Sequence, residues 1–244
     1  MLPRVDGGDL ASNNAHATRV QALFDTIAPR YDFINDLQSF GLHRRWKRQF
    51  VALADAHSGQ RALDVCCGTG DIAFALAATG ATVTGLDFSQ PMLEIARHRQ
   101  QAIAPAALTF MHGDAMRLPF AAESFDVVTC AYGLRNLPDW RAGLVEMRRV
   151  LRPGGRLLVL DFGKPDNRLW RAVFFTYLRL ALPVFGWVFA RNAPAYAYVL
   201  ESLRAFPAQH GVDAALRELN CADVRVQELL GGVMAINRAT APAH

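Results

Sequence analysis

Cysteine is scarce in this chain: Cys66, Cys67, Cys130 and Cys221 are the only four in 244 residues. None forms a C-x-x-C pair, and no His/Cys group has zinc-site spacing, so no metal is expected. Cys66 and Cys67 fall on an expected strand, where neighbours point to opposite faces and cannot aim both thiolates at one ion. They read as small packing residues in a reducing cytoplasm. An apolar leader is also missing. Residues 1–18 are polar and small, with Asp6 and Asp9 among them. They lack the h-region of a secretory signal and the Arg-rich, acid-poor character of a transit peptide, and read as a disordered N-terminal arm. Repeats and low-complexity tracts are absent. So is a clean membrane-spanning run: in the most apolar segment, Leu169 to Asn192, Arg179, Pro183 and Gly186 break the pattern and Arg171 and Arg191 flank it. Such a span needs about 20 apolar residues in succession.

What is present describes a globular protein. Apolar residues make up 52% and charged residues 20%, and the length suits one α/β domain with a sizeable core. The net charge of +4 permits, without requiring, attraction to anionic lipid or nucleic acid.

The periodicity predicts a helix from Ala17 to about Ala28, with Val20, Leu23, Phe24 and Ile27 on one face, and another from Leu42 to Ala56. The chain then alternates. Strands are expected at "RALDVCC", "ATVTGLDFS", "ALTFMHGDA", "SFDVVTCAYG" and, after a turn, "PGGRLLVLDFG". Helices are expected at "DIAFALAATG", at "SQPMLEIARHRQQ" with Ser89 as its cap, and at "DWRAGLVEMRRVL". Short connections in a β-α-β-α series imply a parallel sheet with helices on both faces. Near the end, "ADVRVQELL", Gly231-Gly232 and "VMAINRA" read as an antiparallel hairpin. The fold class is therefore α/β: a Rossmann-like, mostly parallel seven-stranded sheet with a C-terminal antiparallel hairpin, as in class I methyltransferases. The domain divides as an arm (1–18) and one domain (19–244), with an N-terminal helical cap (19–57) and a helical insertion (166–206).

In such sheets ligands sit at the carboxyl ends of the strands. Gly68 and Gly70 fall where the first strand turns into its helix, and glycine there lets backbone approach a ligand closely. Ala73 stands where the dinucleotide fingerprint has its third glycine, which weakly disfavours NAD. Asp64, Gly68, Thr69 and Gly70 in "LDVCCGTGD" resemble the acid-and-glycine motif of S-adenosylmethionine (SAM) methyltransferases. Asp87, ending the second strand, suits two ribose hydroxyls, a device NAD enzymes share. Asp114 and Ala115 in "HGDAMRLPF" resemble the segment that meets the adenine end. SAM is the cofactor these three motifs imply. The fourth strand lacks the N/D-P-P-Y/F of nucleic-acid amino-methyltransferases, so nucleic acid is not an expected partner.

"YDFINDLQSFGLHRRW", "YGLRN", "RVLRPGGRLLVLDFG" and "ESLRAFP" resemble the ubiquinone/menaquinone biosynthesis C-methyltransferases across residues 20–238. Tyr31, Asp32, Asn35, Ser39, His43 and Trp46 match the family's first signature at the right spacing. Gly163 stands where the second has Ser or Thr, and Ala131 where a cofactor-contacting serine often lies. The resemblance implies C-methylation of a prenylated quinol, demethylmenaquinol to menaquinol foremost. O- or N-methylation of another small molecule or lipid is the alternative. A SAM-binding scaffold without turnover is the rival from outside catalysis. Arg135 and Asn136, after the fourth strand, are candidates to stabilise a phenolate and orient a hydroxyl, and His43 is a candidate base. Tyr31, Asp32 and Asn35 would contact the quinol. A cytoplasmic enzyme is expected, with peripheral contact at the inner face of the membrane and a homodimer both left open.

Overall fold

The computed structural model describes residue 39 and residues 41–103, 107–185 and 200–243, with the backbone alone for Ile103 and residues 181–185. The arm, the helix expected at 17–28, and Tyr31, Asp32 and Asn35 lie outside the described residues.

Helix α1 (Leu42–Ala54) buries His43, Trp46, Phe50 and Ala54 along one stripe, and Ser39 Oγ accepts from the His43 amide at its start. Then follow β1 (Arg61–Val65), α2 (Asp71–Ala77), β2 (Thr82–Asp87), α3 (Gln90–Ile103), β3 (Leu108–His112) and β4 (Phe125–Ala131). A single 3₁₀ turn, Leu134–Asn136, leads to α4 (Trp140–Arg149), β5 (Leu151–Phe162), α5 (Arg168–Phe185), α6 (Ala208–Glu218), β6 (Ala222–Leu229) and β7 (Met234–Thr240). Ser89 Oγ accepts from the Met92 amide as the expected cap of α3. Asp139 caps α4, accepting from the amides of Arg141 and Ala142.

The seven strands form one sheet in the order β3-β2-β1-β4-β5-β7-β6. Pairing is parallel from β3 through β5 and antiparallel at β5–β7 and β7–β6. The sequence reading of a parallel sheet closed by a hairpin is therefore met. Alternate residues of β1 divide the core: Ala62 packs with Trp46, Phe50, Ile72 and Leu93 on one face, and Leu63 and Val65 with Leu144, Met147 and Val212 on the other. Such strands, buried on both faces, are near-continuous apolar runs.

Three details depart from expectation. Strand β1 ends at Val65, immediately before the two cysteines, because Cys66 adopts φ 57°. Strand β5 begins at Leu151, before Pro153-Gly154-Gly155, and takes that turn as an irregularity: the register against β4 jumps from Phe125–Leu151 to Val127–Arg156. Helix α6 went unassigned, since Gly211 interrupts its pattern.

The strand order reverses between β1 and β4, which places a crevice beyond their carboxyl ends. The expected cofactor loop follows β1, Asp87 ends β2, and Arg135 and Asn136 follow β4, so three distant parts of the sequence meet on one rim.

Candidate active site

The loop after β1 is built by backbone conformations that few residues tolerate. Cys66, Gly68 and Gly70 all have positive φ (57°, 53° and 91°). At Gly70 a side chain is excluded twice over: a Cβ would lie 2.8 Å from the Phe110 ring and 2.9 Å from Phe74. At Gly68 a Cβ would meet nothing within 4 Å. Gly68 therefore borders open space, and its backbone is what a ligand would touch. Asp87 holds this loop to the end of β2, its Oδ2 accepting from the Gly68 amide at 2.7 Å and its Oδ1 from the Ser89 amide at 2.9 Å. Burial raises the Asp87 pKa, against the pull of these amides.

Asp64 lies on β1, 1% exposed. Its Oδ1 accepts from Thr129 Oγ1 of the neighbouring strand at 2.9 Å, while Oδ2 is buried with no hydrogen-bond partner. Burial pushes its pKa up to about 7, the Thr129 hydroxyl working against it and Asp87 adding to it. An orphaned carboxylate oxygen is costly. Two buried acids with raised pKa, beside a glycine facing open space, form a site short of positive charge. A ligand carrying an ammonium and a sulfonium, as SAM does, supplies that charge, so the residues present fit it.

Asp71, the first residue of α2, ties the loop to two other helices. Lys47 of α1 approaches Oδ2 at 2.7 Å, and Arg99 of α3 approaches Oδ1 at 2.8 Å. Burial alone would raise the Asp71 pKa, but Lys47 and Arg99 together hold it below the ordinary carboxylate value. Arg99 also donates to the carbonyl of Thr69 at 2.9 Å. Lys47 faces the Tyr132 ring, 6.0 Å from its centroid. Sequence reasoning missed Lys47 and Arg99; the quoted "GTGD" contained their partner but treated it as a turn.

Beyond β4, Tyr132 has φ 60° and Gly133 packs where a Cβ would lie 2.4 Å from Cys66 Cβ. Arg135 Nη1 donates to Asp161 Oδ1 of β5 at 3.0 Å and to the Tyr132 carbonyl at 2.8 Å, and the Arg135 amide donates to Asp161 Oδ2. The guanidinium stacks over Phe162 at 4.9 Å. Its Nε is buried with no partner. Arg135 therefore has a second occupation as the brace of this loop. Asn136 is buried and donates to the same Tyr132 carbonyl at 2.9 Å.

Asp114 Oδ1 accepts from the Met116 amide in the turn after β3, and Ala115 is buried beside it. His43 is buried, its Nδ1 2.8 Å from Ser39 Oγ. That contact explains the spacing of serine and histidine in the first signature by local helix-start geometry. The hydrogen bond with Cys130 and burial raise the Cys66 pKa, and burial raises that of Cys67, so both stay protonated. They pack on opposite sides of the sheet: Cys67 with the α2 face, Cys66 against the α4 face.

A seven-stranded, mostly parallel sheet with a C-terminal hairpin, carrying an acid-glycine loop at its switch point, defines a class I SAM-dependent methyltransferase. The sequence matches the ubiE/COQ5 methyltransferase family over residues 12–241, and the chain belongs to that family. It is 38% identical over 231 residues to a demethylmenaquinone methyltransferase of Staphylococcus aureus (strain MRSA252), covering 93% of this chain and 95% of the relative. Among solved structures, it resembles a SAM-dependent methyltransferase from Aquifex aeolicus with TM-score 0.57 and 16% identity, over 80% of this chain and 88% of the other. The [4+2]-cyclase SpnF is similar at TM-score 0.62 and 18% identity, over 92% of this chain and 96% of the other. That a cyclase shares the fold shows that architecture alone does not choose the reaction.

Proposed function

We propose that this enzyme transfers a methyl group from SAM to a ring carbon of a prenylated quinol, converting a demethylmenaquinol to a menaquinol. The observation that carries the reading is the 38% identity, along nearly the whole of both chains, to relatives named demethylmenaquinone methyltransferase. The rim where cofactor loop and Arg135-Asn136 meet supports it.

Bound SAM supplies an electrophilic methyl on a sulfonium. The chain's part is to position the reactants and exclude water. Asp64 Oδ2 would accept from the cofactor's ammonium group, the Gly68 backbone would lie against its methionyl part, and Thr69 would close that side. Asp87 would accept from the ribose, and Asp114 and Ala115 would border the adenine. A quinol carbon gains nucleophilicity as the neighbouring hydroxyl loses its proton. Arg135, fixed by Asp161, would stabilise the developing phenolate with its guanidinium charge, and Asn136 would orient the hydroxyl. Tyr31, Asp32 and Asn35 contact the ring, with His43 as the candidate acceptor of the phenol proton. The setting is cytoplasmic, with the membrane contact and the assembly left open.

Quinone profiling of a strain lacking the enzyme tests this. Loss of one ring methyl from the naphthoquinone pool, restored by the wild-type chain, is the expected result. An unchanged quinone pool, with tritium from labelled SAM passing to another lipid or small molecule, overturns it in favour of O- or N-methylation.

A further inference from the structure

Helix α5 presents two different faces. Phe174 and Leu178 point into the core, whereas Leu169 and Leu180 are 76% and 67% exposed and Val173 is exposed beside them. At about 100° per residue, Leu169, Val173 and Leu180 fall within about 40° of one another, opposite the buried pair. Arg168 and Arg179 run along one flank of this stripe and Trp170 along the other. From Arg168 to Phe185 the helix contains no acidic residue. The stripe continues onto a second element: Trp170 Nε1 donates to the carbonyl of Leu230, an exposed leucine at the tip of the β6–β7 hairpin. A Cβ at Gly231 would touch the same indole at 3.1 Å. Of the acids beside this surface, Asp166 is held by His210 at 3.0 Å and Glu228 accepts from Gln209 Nε2 at 3.0 Å. Among the described residues no helix is long and apolar enough to cross a membrane.

We propose that Leu169, Val173, Leu180, Trp170 and Leu230 form a surface that lies on an anionic lipid bilayer. Apolar side chains enter the acyl boundary, and Arg168 and Arg179 meet the headgroups. The charge pattern favours a lipid surface over a second copy of this chain, because α5 carries cations without acids and would repel itself. Helix α5 starts six residues beyond the carboxyl end of β5, and the hairpin tip lies at that same end of the sheet. The surface therefore borders the rim that carries the active site, and a ring on an isoprenoid tail could enter from the bilayer. This deepens, and rests on, the reading of a prenylated substrate.

The test is co-sedimentation of the full chain with vesicles of equal parts phosphatidylcholine and phosphatidylglycerol. Wild type is expected to partition onto these vesicles, less so at high salt, and much less onto phosphatidylcholine alone. Leu169→Ser with Leu180→Ser should lower partition about tenfold or more. Arg168→Gln with Arg179→Gln, which leaves the apolar stripe and fold intact, should remove the preference for phosphatidylglycerol. Equal partition of wild type and both variants overturns the proposal. So does a wild-type dimer in analytical ultracentrifugation that the serine variant dissociates, since the stripe would then join two copies. A tail-less demethylated naphthoquinol separates the two readings. The serine variant should methylate it at the wild-type rate while failing on the prenylated quinol in vesicles. If wild type methylates neither, the quinol reading fails, and vesicle partition decides the membrane face by itself.

Discussion

Arg135 Nη1 lies 3.0 Å from Asp161 Oδ1, with only 8% and 4% of the two side chains exposed. Breaking one side of such a pair leaves a buried charge uncompensated, at a cost of about 3–5 kcal/mol. Arg135→Leu should therefore lose roughly 10 °C in Tm as well as activity. Arg135→Lys separates the two effects. It keeps the charge beside Asp161 but loses the planar fork and the Nε donor. It should fold and bind SAM with wild-type affinity by calorimetry, while methyl transfer falls about a hundredfold, the scale for an oxyanion donor. Wild-type turnover in the lysine variant would show Arg135 to be a brace alone.

The proposed role of Asp64 predicts that SAM affinity depends on pH. With a pKa near 7, it is protonated below that value and cannot accept from a cationic ammonium. SAM binding should strengthen about tenfold from pH 6 to pH 8, with proton release. Asp64→Asn should bind weakly and without that dependence. The stability effect has the opposite sign. The folded pKa lies above the unfolded one, near 3.8, so this contribution is complete below about pH 4 and is lost as pH rises through about 7. In the absence of SAM, Asp64→Asn should raise Tm at pH 8 more than at pH 5. A calorimetric affinity flat with pH in wild type would remove Asp64 from ammonium recognition.

Lys47 and Arg99 share Asp71 but join it to different helices. Lys47→Met removes the link to α1 and leaves the loop held by Arg99. Thermal stability should fall by the equivalent of about 2 kcal/mol, the loss of a partly buried charged hydrogen bond. The KM for the quinol should rise severalfold with SAM affinity nearly unchanged, and Lys47→Arg should restore most of it. A parallel loss of SAM affinity would mean that α1 supports the cofactor loop.

Gly163 stands where relatives in the resemblance have Ser or Thr. Here a Cβ would lie 2.3 Å from the carbonyl oxygen of Gly232. Gly163→Ser must push the β6–β7 turn away, at about 2–3 kcal/mol, or roughly 6–9 °C in Tm. An unchanged melting curve would show that the turn yields freely.

Sequence alone determined the α/β alternation, the terminal hairpin and the cofactor loop. These are local: apolar runs bounded by glycine, Ser89 as a cap, and glycines at the loop. Helix α6 escaped because Gly211 interrupts its pattern and tertiary burial of Val212 and Leu216 stabilises it. The expected start of β5 falls too late because Pro153 and the following glycines read locally as a turn, whereas pairing with β4 begins before them at Leu151 and resumes after them at Arg156. Tyr31, Asp32 and Asn35 remain expectations of the sequence.

Only the tertiary structure decided the electrostatics of the site. Nothing local to "LDV" says that Asp64 keeps one oxygen unpartnered, because its surroundings come from Thr129, 65 residues away. Nothing in "YGLRN" says that Arg135 is paired, because Asp161 arrives 26 residues later on the neighbouring strand. A charged side chain's behaviour depends on what else is buried with it. That is set by strand order, which carries distant residues to one end of the sheet, and not by the spacing of residues along the chain.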